Sequence, residues 1–203
     1  MAPRAAIPTL ALLVAVPAFA DEGTPAEVPA AWTMHQIDLT YMGFTTRYTC
    51  GGLKSKMKLL LKTMGVRDDV KIVERNCEYG YGRVAEFPRL KITFYAPSIP
   101  QPGDTEVGEP VLGVWKPIVI KKNSPKGLEM GDCELVEVFR DRILPKFVTT
   151  EIKGDVNCIP HQLVGNRIDL KFDVLTGIKS TDEAQAQDAA RAESDSKGLK
   201  VAD

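Results

Sequence analysis

Four cysteines set in two matching contexts constrain this chain more than any other feature. Trp32, Thr49-Cys50, Asn76-Cys77 and the run Arg89-Leu90-Lys91-Ile92-Thr93-Phe94 recur as Trp115, Asp132-Cys133, Asn157-Cys158 and Arg167-Ile168-Asp169-Leu170-Lys171-Phe172. The offset is 83 residues at the tryptophans and first cysteines, 81 at the second cysteines and 78 at the phenylalanines. Short deletions in exposed loops produce such a drift when two copies keep one fold. The pattern predicts an internal duplication.

Each copy reads β-α-β-β. Around the first strand, Thr33, His35, Ile37, Leu39 and Tyr41 share one parity, and Gly43 is a candidate break. Leu53, Met57, Leu60, Leu61 and Met64 recur at helical spacing, with Thr49 as N-cap and Gly65 as stop. A strand over residues 69–74 and another over 90–95 follow. In the second copy a strand over 111–122 holds Pro117, which argues for an edge or a bulge. Asp132 takes the place of Thr49 as N-cap. Leu135, Val138, Phe139 and Ile143 form the helix stripe, and Pro145 ends it. The last strands fall within 147–156 and 168–174. The expected fold class is α+β, each helix packed on a small, mostly antiparallel sheet. Joined copies would extend each other's sheets and remove two edges.

The helix start and the end of the next strand lie at the same end of such a module. That favours Cys50–Cys77 and Cys133–Cys158 among the three pairings open to four cysteines. Each bridge closes a loop of roughly 25 residues, worth about 3 kcal/mol in the chain-entropy model. No Cys-x-x-Cys knuckle points to zinc or thiol redox chemistry.

Disulfides fit an exported chain, and the start of the sequence agrees. Arg4, the apolar run 10–16 and Ala18-Phe19-Ala20 read as a signal peptide over residues 1–20, cleaved after Ala20. That run is too short to span a bilayer, and no later stretch is longer. The expected localisation is periplasmic or secreted. A Pro/Ala leader covers 21–31, the first module 32–97, a Pro/Gly connector 98–110 and the second module 111–175. Residues 176–203 read as a disordered polar tail. The whole chain carries a net charge of -1. With signal and tail set aside, basic and acidic residues are equal in number, which gives no general attraction to nucleic acid.

Chemistry-bearing motifs are scarce. His35 and His161 are the two histidines, and neither accompanies a nucleophile motif or a ligand at metal spacing. No cofactor and no metal ligand set is expected. The first helix carries Lys54, Lys58 and Lys62 at i+4 steps, opposite its apolar stripe. The second has Glu134, Glu137 and Asp141 in nearly matching places, so the copies differ in sign. Tyr79-Gly80-Tyr81-Gly82-Arg83 is a loop without counterpart in the second copy, and tyrosines give contact area at low entropy cost. Lys54, Lys58, Lys62, Tyr79, Tyr81 and Arg83 are therefore the candidate binding residues. The expected function is a non-catalytic binding or scaffold protein that contacts an envelope protein or an anionic surface. The alternatives are a metal-dependent or hydrolytic enzyme with a cleft between modules, and an enzyme inhibitor that uses residues 77–88.

Overall fold

A computed structural model describes residues 27–77, 84, 86–102 and 108–178. The expected signal peptide, most of the expected leader and most of the expected tail lie outside these residues. The elements run β1 (Val28–Thr40), α1 (Cys50–Thr63), β2 (Lys71–Arg75), β3 (Arg89–Ser98), β4 (Pro110–Lys121), α2 (Cys133–Arg142), β5 (Lys153–Asn157) and β6 (Arg167–Ile178). Short 3-10 turns, Met130–Asp132 and Leu144–Lys146, flank α2.

The fold is α+β, with one six-stranded antiparallel sheet in the order β2-β3-β1-β4-β6-β5. β1 and β4 adjoin at the centre, with β3 and β6 outside them and β2 and β5 at the two edges. Their pairing is short, from Val28↔Gly113 to Ala31↔Pro110. Beyond it β4 pairs only with β6, and Pro117 sits in that half-edged stretch, where a missing N–H is tolerated.

Register explains the core. Leu39 and Ile37 share a sheet face with Leu90, Ile92 and Phe94, and, through the β1–β4 pairing, with Ile118, Ile120, Leu170 and Phe172. All of these are buried. Leu53, Met57, Leu60 and Leu61 of α1 pack on this inner face, and so do Leu135, Val136 and Phe139 of α2. The buried residues form one hydrophobic cluster drawn from both halves. Trp32 and Trp115 lie on the opposite, outer face, where Trp115 is paired with the fully buried Leu175.

Several expected boundaries shift. β1 begins at Val28, inside the stretch read as a leader, because Val28–Ala31 find hydrogen-bonding partners in β4. It ends at Thr40, so no second strand follows Gly43. Instead the Tyr41 hydroxyl donates to the Thr46 carbonyl and closes a loop. β6 reaches Ile178, which takes Thr176, Gly177 and Ile178 out of the expected tail. Gly65 ends α1 in the left-handed region, at φ 75°, as its place after the stripe implied.

Candidate functional site

The α1 N-terminus is built as the sequence suggests. Thr49 Oγ1 accepts from the Gly52 N–H at 3.0 Å. The aligned Asp132 does not cap α2. Its carboxylate is 3% exposed as a residue and faces the first half instead. The Tyr48 hydroxyl donates to Oδ1. Lys56 Nζ donates to Oδ2 at 2.7 Å, and the Glu129 N–H to the same oxygen at 2.7 Å. Lys56 also donates to the Gly127 carbonyl. The carboxylate is committed to Tyr48, Lys56 and the Glu129 N–H of the preceding turn, and it makes no cap bond to α2.

Glu134 is the second correction. Expected on a solvated acidic face, it is 8% exposed and accepts from the Thr45 N–H at 2.9 Å and the Thr45 hydroxyl at 3.3 Å. Gly131 allows this close approach, since a Cβ there would lie 2.8 Å from Thr46 Oγ1. Glu137 and Asp141 remain on the outside and adjoin Arg140.

Burial raises the Tyr41 and Tyr48 hydroxyls above their ordinary 10. For Tyr41 the Glu134 and Asp132 carboxylates add to it, and for Tyr48 the hydrogen bond to Asp132 does. Both stay protonated donors at neutral pH. The network of Tyr48, Lys56, Asp132, Thr45 and Glu134 joins loop 41–49 and α1 to the start of α2. Among the described residues no buried side-chain nitrogen or oxygen lacks a partner. The arrangement clamps the two halves.

The candidate binding residues separate. Lys54 pairs with Glu74 of β2 at 3.2 Å. Lys58 and Lys62 are exposed and make no ion pair among the described residues. Lys56, next to this stripe in sequence, is the α1 lysine that turns inward. Tyr79, Tyr81 and Arg83 lie outside the described residues. The ends of their loop are pinned near α1, by Cys77 on Cys50 and by Val84, which bridges to Thr49.

Both expected disulfides are present. Cys50–Cys77 has a Cα separation of 6.1 Å and Cys133–Cys158 of 5.7 Å, inside the usual range. They are compatible with export. Among the described residues no helix is long and apolar enough to cross a membrane.

The histidines do not meet. His35 is half-buried on the inner face against Phe94, with ring centroids 5.3 Å apart. Burial and then the Lys146 charge hold it below its ordinary 6.5. His161 is exposed, in a left-handed turn, with its ring 5.6 Å from Phe44. Among the described residues no three of His, Cys, Asp and Glu converge as metal ligands. An open depression of about 380 Å³ lies over Pro117, Val119, Thr150, Lys153 and Lys171, and neither histidine lines it.

Sequence reasoning missed the clamp. Nothing local to Tyr41–Tyr48 or to the start of α2 tells that Asp132 and Glu134 reach across. No protein-family model, curated protein or solved structure matches the chain.

Proposed function

We propose that the chain is an exported, non-catalytic binding or scaffold protein, processed after Ala20 and resident in the periplasm. It contacts an envelope protein or an anionic surface through Lys54, Lys58 and Lys62 of α1, and through Tyr79, Tyr81 and Arg83. The observation that carries this reading is the state of α1's cations. Lys56 is consumed by the clamp, whereas Lys58 and Lys62 stand exposed and meet no carboxylate among the described residues. Uncompensated cations on a rigid helix attract anionic partners. Among the described residues the buried Asp132 and Glu134 carboxylates are held by Tyr48, Lys56 and Thr45.

The architecture behind this reading is a duplicated β-α-β-β module. Its support is the repeated element order, the sheet order that reads alike from both ends, and matching places for Trp32 and Trp115, Cys50 and Cys133, and Cys77 and Cys158.

The test uses the Lys58→Glu/Lys62→Glu variant, with Lys54→Gln added because a glutamate there would face Glu74. Retention is measured on vesicles containing phosphatidylglycerol and on an immobilised envelope extract. Loss of retention with an unchanged unfolding midpoint is expected. Equal retention would remove α1 from the site.

A further inference from the structure

The outer face of the first half carries a second set of cations that the sequence does not group. β2 and β3 place Lys71, Arg75, Arg89 and Lys91 on one face, two on each strand. The register sets Arg75 directly opposite Arg89, and Val73 opposite Lys91. Each of the four is wholly or partly exposed, and none forms an ion pair among the described residues. Asp38, opposite Lys91 on β1, is the one carboxylate among the residues facing them in register, and it forms no ion pair either. At the centre of the four, Val73 is 51% exposed.

Two features make this unusual. Like charges directly opposite on adjacent strands destabilise a sheet, so the Arg75–Arg89 pair works against the fold. The second half avoids it. There Asn157 faces Arg167, while Asp169 forms an ion pair with Lys171 at 3.4 Å and lies 4.0 Å from Arg167. Among the described residues nothing compensates this like-charged pair, which leaves it open to an anionic partner.

We propose that this face docks on an anionic lipid bilayer. The four cations lie on an exposed sheet face with no recess among the cavities described and no buried polar group to fix a ligand's orientation, so recognition is by summed charge. Such a site suits a surface of many phosphates better than one shaped partner. The exposed valine ringed by cations matches the layering of a bilayer, with anionic head groups above hydrocarbon. The proposal rests on the binding reading above but uses residues distinct from the α1 lysines.

Arg75→Glu is the test variant, because it replaces a repulsive pair by an attractive one and so cannot fail merely by unfolding. The full chain is titrated with phosphatidylcholine vesicles, with and without phosphatidylglycerol, at low and at physiological salt. Wild type should bind only the anionic vesicles, more weakly as salt rises. Arg75→Glu should bind roughly 30-fold less tightly, from the loss of about two effective charges at the surface, while its unfolding midpoint holds or rises. Unchanged vesicle affinity in Arg75→Glu overturns the proposal. Loss in Lys58→Glu/Lys62→Glu alone would keep the binding reading and discard this face. No vesicle binding, with retention on soluble polyglutamate, would also overturn it and assign the face to an acidic polypeptide.

Discussion

The two helix starts occupy aligned positions and do different work. At α1, Thr49 serves its own helix by capping Gly52. At α2, Asp132 and Glu134 serve the other half by holding Tyr48, Lys56 and Thr45. The opposite charges of the two helices are thus partly spent inside the molecule. A contrast in sign between the two helices is not by itself a sign of an external ligand. Some of the charge holds the two halves together, and only what is left over can bind.

The sharpest way to break this comparison is to truncate the two aligned residues. Asp132→Ala strips a buried carboxylate from Tyr48 and Lys56, and removal of one partner of a buried charged pair costs about 3 to 4 kcal/mol. Thr49→Ala loses a cap and costs about 1 kcal/mol. Urea unfolding of both variants reads the difference directly. Equal costs would mean that Asp132 acts only on its own helix.

The disulfides test whether the halves are equally supported. Cys50→Ser/Cys77→Ser opens a separation of 27 residues, and Cys133→Ser/Cys158→Ser one of 25. Chain entropy makes each worth about 3 kcal/mol. A larger loss for the second pair, measured by the shift in urea midpoint, would show that the Cys133 end also positions Asp132 and Glu134. Equal losses would confine each bridge to its own half.

These contrasts mark where sequence reading works and where it stops. Periodicity and spacing made the strands, helices and disulfides legible, because each depends on neighbours along the chain or on a repeat. The Thr49 cap was legible for the same reason. Asp132 was misread because its side chain answers to Tyr48 and Lys56, more than 70 residues away, and local pattern carries no record of that. Lys71, Arg75, Arg89 and Lys91 were passed over because they alternate with apolar residues on two separate strands. Only the β2–β3 register brings them onto one surface.

A smaller effect separates the inner faces. His35 stands at the offset of Ile118, which is buried in the second half. Burial and Lys146 lower the native pKa of His35 below 6.5. Just below 6.5 the unfolded chain therefore binds more protons than the folded one, so stability falls as pH drops through that window. Above it both states are neutral and this dependence vanishes. His35→Ile should flatten the acid limb of stability between pH 7 and 5, followed by thermal unfolding. An unchanged slope would place the acid sensitivity elsewhere.

The smallest expected effect concerns the outer faces, and it carries the comparison furthest. Arg75 and Asn157 hold equivalent register positions, opposite Arg89 and Arg167. Glutamate at either site creates an opposite-charge cross-strand pair, worth roughly 0.2 to 1 kcal/mol. At position 75 it also removes an arginine–arginine repulsion, so Arg75→Glu should stabilise more than Asn157→Glu. Paired urea titrations at low salt would show the gap, and high salt should close it, because exposed charges are screened. If the two substitutions stabilise equally, the Arg75–Arg89 pair is not repulsive in the folded chain. The argument that something external compensates it then loses its energetic basis. If the gap appears, the first half retains a strain that one substitution would relieve, which is the behaviour of a surface kept for contact.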